Sequence, residues 1–283
     1  MPRTVFVNGD FVREDNAMVS VFDRGFLMGD AIYEVTTVLN GKLIEFDAHM
    51  TRLKRSLDAL EIPYVVDSAV LLDIHRNLIE KNGIKNGTVY IQVSRGAADR
   101  SFHYPEGIEP TVVAFTQDID WLAAPFVESG LKVMSHPDKR WGRRDIKTTQ
   151  LLWGSMSMMA AKRGGVDDVW FVQDGEVTEG SFCNAFIVKD RKIITRELSN
   201  DILHGTMRAS ILGYARQNGF EVEERTFSIS EAQSADEAFV TASPLFATGV
   251  VEIDGKMIGN GKPGAVTVEL RKIILEESLK TGV

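Results

Sequence analysis

The sequence predicts an α+β protein in two parts, each with helices and strands mixed in order. Three observations support this class. Runs of β-branched and aromatic residues end at Asn-Gly turns, apolar residues recur at helical spacing between them, and the stretch from 119 to 130 keeps neither period. We therefore expect a smaller N-terminal domain over 1–118, a linker over 119–130 and a larger C-terminal domain over 131–283.

The N-terminal part begins with a predicted hairpin, because strand-like Thr4–Val7 runs into Asn8-Gly9. A second strand, Ala31–Leu39, ends at another Asn-Gly pair, and residues 42–46 are predicted to be its partner. Asp47 is a good N-cap for the helix that follows. The remaining predicted elements are a helix over 68–81 and buried strands over 88–94 and 110–116.

The C-terminal part alternates in the same way. Its predicted elements, in chain order, are a strand over 131–134, a helix over 148–163, a hairpin of strands 169–172 and 177–188, a strand over 192–195, a helix over 205–217, a strand over 238–241 and a final amphipathic helix after Pro263.

The composition narrows the function classes. The 44% apolar and 25% charged residues are typical of a soluble globular protein, and no apolar run reaches membrane-spanning length. A net charge of −8 without a basic stripe argues against a nucleic-acid partner. Cys183 is the single cysteine, so no intramolecular disulfide forms, and no His, Asp or Glu spacing suggests a metal. We expect a cytoplasmic protein without a membrane partner.

Lys147 is the most informative residue, since it lies just before a strongly apolar predicted helix. A lysine amine in such surroundings is well placed to form a Schiff base with an aldehyde cofactor. The alternative is a surface lysine whose stem lies on apolar atoms.

Glu179 lies in the apolar strand 177–188, where an unpaired carboxylate is costly. A protonated pyridine nitrogen would supply the positive partner. The alternative is an exposed charge at the edge of the strand beside the hairpin turn.

Three further segments suit a phosphate. Gly205-Thr206-Met207 opens a helix whose first amides favour an anion. Thr241-Ala242-Ser243 follows a strand and offers small residues and hydroxyls. Arg52 lies on the first long helix and could bind a phosphate bidentately, although a solvated head group is the alternative.

With these residues in view, the chain resembles the fold-type IV pyridoxal phosphate enzymes over nearly its whole length, and most of all the D-amino-acid transaminases. The matching segments, in order, are Val21–Phe26, Gly29-Asp30, Tyr33-Glu34, His49–Leu53, Asp145-Ile-Lys147, Val177–Asn184, Leu203–Arg208 and Phe239–Ser243.

The resemblance implies a fold and a set of cofactor residues. The fold would be a smaller N-terminal α/β sandwich and a larger C-terminal mixed α/β pseudo-barrel, with pyridoxal 5′-phosphate at their interface in a homodimer. Lys147 would bind the cofactor covalently and Glu179 its pyridine nitrogen, while Leu203 would pack on the ring. The residues implied around the phosphate are Arg52, Thr206, Met207, Ala242 and Ser243.

This sequence departs from the family pattern in two phosphate segments. The turn after Gly205 usually reads Ile-Thr and here reads Thr206-Met207, which keeps the backbone amides but moves the hydroxyl. Ala242 likewise removes a hydroxyl contact.

The resemblance also implies how a substrate carboxylate is held. In D-amino-acid transaminases a tyrosine, an arginine and a histidine bind it, and Tyr33 and Arg100 match the first two. The histidine usually stands two residues after the arginine, where this chain has Phe102. His103 follows one place later and is the remaining candidate.

The implied reaction is transfer of an amino group from a D-amino acid, with D-alanine and 2-oxoglutarate as the default pair and Lys147 moving the proton at the substrate Cα. A branched-chain or (R)-amine transaminase, and an aminodeoxychorismate lyase, are the alternatives of the same fold. A non-enzymatic phosphate-ligand binding protein is the alternative outside it.

Overall fold

The computed structural model describes residues 2–283 as two compact units. Unit 1 contains the chain up to Asp120, together with Ile146–Gln150 and Thr281–Val283; unit 2 contains Trp121–Asp145 and Leu151–Lys280. The predicted α+β class in two parts is confirmed. The predicted linker 119–130 contains a 3-10 turn at Trp121–Ala123 and a short helix, and the exact domain boundaries stay a prediction.

Unit 1 is a six-stranded sheet with helices packed on it, and its sheet order is β2-β1-β6-β5-β3-β4. The elements are β1 (Thr4–Val7), β2 (Asp10–Arg13), α1 (Arg24–Met28), β3 (Ala31–Leu39), β4 (Lys42–Leu43), α2 (Phe46–Ala59), α3 (Ser68–Asn82), β5 (Gly87–Ser94) and β6 (Thr111–Gln117).

Strand β3 of this unit lies between β5 and β4 and pairs antiparallel with β5 from Ala31 to Val38. Its side chains alternate between the two faces of the sheet. Ile32 and Glu34 are buried on the face that α2 covers, whereas Tyr33 lies half-buried on the other face. Tyr33 stacks there on Tyr90, and Tyr90 stacks on Phe115, with ring centres 5.4 and 4.8 Å apart.

The start of α2 differs from the prediction. Strand β4 ends at Leu43, and Glu45 takes a left-handed conformation (φ 55°) that turns the chain into a helix beginning at Phe46. Asp47 is therefore in the first helical turn and is not the N-cap. A charge pattern alone does not reveal a positive φ at a residue other than glycine.

Unit 2 is built on a nine-stranded sheet with the path β12-β11-β10-β13-β14-β7-β8-β9, and β15 pairs with β14. Its elements are α4 (Phe126–Ser129), β7 (Leu131–Pro137), α5 (Leu152–Gly164), β8 (Asp168–Gln173), β9 (Glu176–Gly180), β10 (Asn184–Lys189), β11 (Lys192–Thr195), α6 (Thr206–Gln217), β12 (Val222–Glu224), α7 (Ile229–Ala232), β13 (Glu237–Ala242), β14 (Phe246–Ile253), β15 (Lys256–Met257) and α8 (Ala265–Thr281).

Two predictions in this unit need correction. The predicted strand 177–188 is two strands, because Ser181–Cys183 leave the extended conformation between β9 and β10. Strand β14 was not predicted, although it is a buried central strand between β13 and β7. Gly249 interrupts its apolar run and Gly255 follows it, which weakens the strand signal. No helix among residues 2–283 is long and apolar enough to cross a membrane.

Candidate functional site

Lys147 lies in an irregular segment and does not immediately precede a helix. The predicted helix from 148 begins only at Leu152, because Thr148 and Thr149 pair with β3 instead. The amide of Tyr33 donates to the carbonyl of Lys147 at 3.0 Å, and the amide of Thr149 donates to Ala31 at 3.1 Å. The backbone at Lys147 and just after it is thus hydrogen-bonded to the start of β3.

The side chain of Lys147 contacts Tyr33. Its Nζ lies 4.3 Å from the centre of the Tyr33 ring, and the lysine is half-buried. An ammonium group at this distance from an aromatic face makes a cation–π contact. The structure therefore brings the predicted covalent residue and a predicted substrate residue together, and the ring fixes the height of the amine above the sheet.

Arg52 is buried and does not have the solvated head group of the alternative prediction. Its Nε and Nη2 donate to the two oxygens of Glu34 at 2.7 Å each, and Nδ1 of His49 contacts Glu34 at 2.7 Å. Burial raises the pKa of Glu34, but Arg52 and His49 outweigh it and hold that pKa well below its usual range. The bidentate pair fixes the plane of the guanidinium.

Glu34 and His49 belonged to the matching segments but were not predicted as site residues. The available signal was Glu34, a charged residue in the otherwise uncharged strand β3. One turn after Arg52, Ser56 accepts from the amide of Lys147 at 3.4 Å. The segment that carries Lys147 therefore lies along the same face of α2 as Arg52.

Glu179 in unit 2 is 4% exposed, so it is not an edge charge. Its positive partner within the chain is Arg140, which the sequence had not indicated: Nη1 donates to Oε1 of Glu179. The other oxygen, Oε2, accepts from the side-chain amide of Asn184 at 3.1 Å and from the backbone amide of Leu203 at 3.0 Å. The structure thus brings Glu179 and Leu203 together.

Arg140 also forms an ion pair with Asp138. Asp138 accepts from Nε and Nη2 of Arg140 at 3.0 and 2.6 Å, and it also accepts from the hydroxyl of Thr178 at 2.7 Å. Burial tends to raise the pKa of Asp138, but these bonds and the nearby Arg144 lower it overall. The guanidinium therefore presents a fixed edge to Glu179.

The Glu179 carboxylate has room for one further donor. A carboxylate accepts about four hydrogen bonds, and Arg140, Asn184 and Leu203 supply three. A protonated ring nitrogen would complete the set on Oε1. The cofactor that the resemblance implies therefore fits the donor set present here.

The N-terminus of α6 suits an anion. Helix α6 begins at Thr206, and no side chain caps its first amides. Gly205 precedes it, and a Cβ there would lie 2.1 Å from Oδ1 of Asn184. Glycine is therefore required at position 205 for the start of α6 to lie beside Asn184, which donates to Glu179. Thr206 and Met207 are both buried at this point.

The end of β13 also lies next to Asn184. Thr241 pairs across the sheet with Asn184, and its buried Oγ1 has no hydrogen-bond partner among residues 2–283. A buried hydroxyl without a partner needs one from another source. Ala242 and Ser243 follow directly and are half-buried. Unit 2 therefore brings Glu179, Leu203, the start of α6 and the 241–243 segment into one region.

Arg100 and His103 lie on the surface of unit 1, on a loop between β5 and β6. The loop is anchored beneath them: Arg24 donates to the carbonyl of Ser101 at 2.6 Å, and the Tyr104 ring lies 3.5 Å from the Arg95 guanidinium carbon. The structure does not bury Arg100 or His103 beside Tyr33. Their role stays a prediction.

Two further polar residues are buried in the core. His75, next to Asp73 and Arg76 in the sequence, is fully buried, and burial lowers its pKa to about 4. Its Nδ1 donates to the carbonyl of Leu71 at 2.7 Å. Cys183 is a buried thiol. Within residues 2–283 no three His, Cys, Asp or Glu side chains are grouped as a metal site requires.

Comparison with known proteins gives the same family as the resemblance. Residues 31–253 match the model of the class IV amino-transferase family. The chain is 35% identical over 273 residues to a D-alanine aminotransferase of Staphylococcus aureus, which covers 95% of both chains. It is 33% identical over 281 residues to a D-alanine aminotransferase of Bacillus licheniformis, which covers 98% of this chain and 99% of the relative.

Solved structures show the same fold. The branched-chain amino acid aminotransferase of Escherichia coli superposes with a TM-score of 0.91 at 23% identity, covering 98% of this chain and 95% of that one. The branched-chain aminotransferase of Thermoproteus uzoniensis has a TM-score of 0.86 at 23% identity, covering 99% and 96%. A third branched-chain aminotransferase, solved with pyridoxamine 5′-phosphate, has a TM-score of 0.88 at 23% identity, covering 98% and 94%. Together with the matched family model, the fold and the full-length relatives show that this chain belongs to the class IV aminotransferase family.

Proposed function

We propose that the protein is a pyridoxal phosphate-dependent transaminase that transfers the amino group of a D-amino acid, such as D-alanine, to a 2-oxo acid, such as 2-oxoglutarate. The observation that carries the chemistry is the half-buried Lys147 amine held over Tyr33. The substrate class is supported by the D-alanine aminotransferases that are 33–35% identical over nearly their whole length.

When bound, pyridoxal phosphate supplies an aldehyde that takes the amino group and a ring that withdraws electrons from the substrate Cα. Nζ of Lys147 is the group that moves the proton at this Cα, acting as base and then as acid. Glu179 holds the proton on the ring nitrogen, and Leu203 packs on the ring. Arg52 binds the phosphate.

In this proposal two further segments contact the phosphate. They are the start of α6 at Thr206 and Met207, and the segment of Ala242 and Ser243 that follows β13. Support comes from the uncapped amides of α6 and the unpartnered hydroxyl of Thr241.

For the substrate carboxylate we propose Tyr33, Arg100 and His103. Arg100 is a guanidinium suited to a bidentate carboxylate contact, and its exposure leaves it available to a ligand. Phe102, 80% exposed, occupies the place of the histidine that D-amino-acid transaminases use.

A substrate profile tests the proposal. The purified protein loaded with pyridoxal phosphate is assayed in parallel with D-alanine, L-leucine and (R)-1-phenylethylamine, each with 2-oxoglutarate. We expect D-alanine to be the best donor. Turnover of L-leucine or (R)-1-phenylethylamine without D-alanine would replace the proposal by the branched-chain or (R)-amine alternative, and pyruvate released from aminodeoxychorismate without an acceptor would indicate the lyase.

The role of Lys147 has a separate test. Borohydride reduction of the yellow holoprotein should discharge the colour and leave a pyridoxyl label on the peptide that contains Lys147. Lys139, an exposed neighbour that contacts Trp153, is the internal control and should carry no label. A colourless protein that binds no pyridoxal phosphate would favour the non-enzymatic alternative.

We further infer a cytoplasmic homodimer. The single buried Cys183 suits a reducing compartment. Phe22, Phe26 and Phe102 are exposed in unit 1, and Phe26 is 75% exposed, which is the kind of apolar surface a second copy covers. Sedimentation should show that Phe26→Glu dissociates the dimer, whereas Val65→Glu, at another exposed apolar residue, should not.

A further inference from the structure

The turn between β13 and β14 carries two of the proposed phosphate residues and is strained. Ala242 pairs with Phe246, and the amide of Leu245 donates to the carbonyl of Ala242 at 3.0 Å to close the turn. Phe246 then takes a φ of 56°, although it is 1% exposed and is not a glycine. A left-handed conformation at a bulky residue persists only when its surroundings fix it.

Arg271 of helix α8 supplies such a contact. Its Nη1 donates to the carbonyls of Leu245 and Ala247 at 2.6 and 2.8 Å, and it lies 3.3 Å from the hydroxyl of Thr248. The hydroxyl of Thr248 donates in turn to Leu245 at 2.9 Å. One nitrogen therefore fixes the carbonyls on both sides of Phe246.

The same guanidinium lacks a carboxylate partner. Its side chain is half-buried, and burial lowers its pKa, with no acidic group within residues 2–283 forming an ion pair with it. A cation in such a place is costly unless its bonds or a ligand offset the cost. Its partners are backbone carbonyls at the far end of the turn that begins at Ala242 and Ser243, where we placed a dianionic phosphate.

We propose that Arg271 is a positioning residue for the cofactor phosphate: it fixes the β13–β14 turn in its strained shape and adds an unneutralised positive charge behind it. Arg271 acts through the turn and does not touch the reacting atoms. This inference rests on the proposed function, because it assigns the residue to the phosphate side of that site.

The test compares Arg271→Met with Lys272→Met, which removes the same charge from the next residue of α8, where the side chain is 77% exposed. Cofactor-free protein is titrated with pyridoxal phosphate and, separately, with pyridoxal, which lacks the phosphate. Arg271→Met should weaken binding of pyridoxal phosphate about tenfold and binding of pyridoxal less than about twofold. Lys272→Met should change neither.

A conservative variant completes the design. Arg271→Lys keeps the charge and can donate to the same carbonyls, so it should bind pyridoxal phosphate within about threefold of wild type. If Arg271→Met does not fold, Arg271→Gln, which keeps a donor without the charge, takes its place in the titration. Unchanged affinity, or an equal loss for both ligands, overturns the inference. A wild-type protein that does not bind pyridoxal phosphate overturns the proposed function instead.

Discussion

Both oxygens of the Glu34 carboxylate accept from the guanidinium of Arg52 at 2.7 Å, and both side chains are buried. The pair joins strand β3 of unit 1 to helix α2. His49, one turn before Arg52, contacts the same carboxylate at 2.7 Å. The orientation of Arg52 is therefore set by two other residues of the chain.

Replacement of Glu34 by glutamine should both destabilise unit 1 and weaken cofactor binding. A glutamine amide places a donor against the donors of Arg52 and leaves a buried cation without its counter-charge, which costs about 3–5 kcal/mol. Denaturant unfolding and titration with pyridoxal phosphate measure the two effects. Asp58→Asn, which breaks the exposed pair with Lys54, should behave like the wild type. Wild-type stability of Glu34→Gln would contradict the expectation.

Replacement of Arg140 by methionine should destabilise unit 2 in a pH-dependent way. The variant leaves Asp138 and Glu179 buried without their shared partner, at a cost of about 3–5 kcal/mol near neutral pH. The lowered pKa of Asp138 contributes stability to the wild type above its usual value of 3.8, and this contribution is lost as the pH falls. The difference in the free energy of unfolding between wild type and Arg140→Met should therefore narrow in acid.

Unfolding of the Arg140→Met variant is to be followed from pH 7 down to the acid limit of the wild type. Arg143→Met removes a charge from the same segment, where the Arg143 side chain is 44% exposed, and it serves as the control. A difference in unfolding free energy between wild type and Arg140→Met that widens in acid would contradict the role given to Arg140.

The buried His75 should make the protein acid-sensitive between pH 6.5 and about 4. Folding lowers the pKa of His75 from 6.5 to about 4, so its neutral form is favoured in the folded state. The stability that the neutral His75 contributes is fully present above pH 6.5. It falls as the pH drops towards 4, by at most roughly 3 kcal/mol. The contribution from Glu34, whose pKa is lowered from 4.5, is lost only at lower pH.

The measurement is the free energy of unfolding of wild type and His75→Asn across this range. Asparagine keeps a side-chain donor for the carbonyl of Leu71 but does not titrate. The variant should lose less stability than the wild type between pH 6.5 and 4. Parallel curves for the two proteins would count against a buried neutral imidazole.

The stack of Tyr104 on Arg95 should control the loop that carries Arg100. Tyr104→Ala removes the ring, whereas Tyr104→Phe keeps the stack. We expect the alanine variant to exchange the amides of 98–109 faster and to raise the KM for D-alanine about tenfold, with kcat much less affected. The phenylalanine variant should resemble the wild type. Equal behaviour of the two variants would show that the ring does not anchor the loop.

Much of the fold follows from local patterns in the sequence. Strands Thr4–Val7 and Ala31–Leu39 and the helix from Ser68 have the predicted starts, because alternation and capping residues are local signals. The pairing of Thr148 and Thr149 with β3 could not be predicted in this way. Their apolar neighbours on the C-terminal side favour a helix, and the bonds that keep them out of it come from the distant β3.

The site was predictable where a residue carries its own chemistry. Lys147 and Glu179 stand out by type and by apolar neighbours. Arg140 and Arg271 do not, because each is an ordinary arginine in the sequence and becomes significant through partners that are 39 and 26 residues away. Long-range partners of this kind need coordinates.

The three bonds to the Glu179 carboxylate have a consequence for ligand capture. A free glutamate side chain loses about 1.5–2 kcal/mol of rotamer entropy when it is fixed. Here Arg140, Asn184 and the amide of Leu203 impose that loss during folding, so the direction of the acceptor is set before any ligand arrives. If Glu179 binds the ring nitrogen as proposed, this preset direction favours a ring with a protonatable nitrogen.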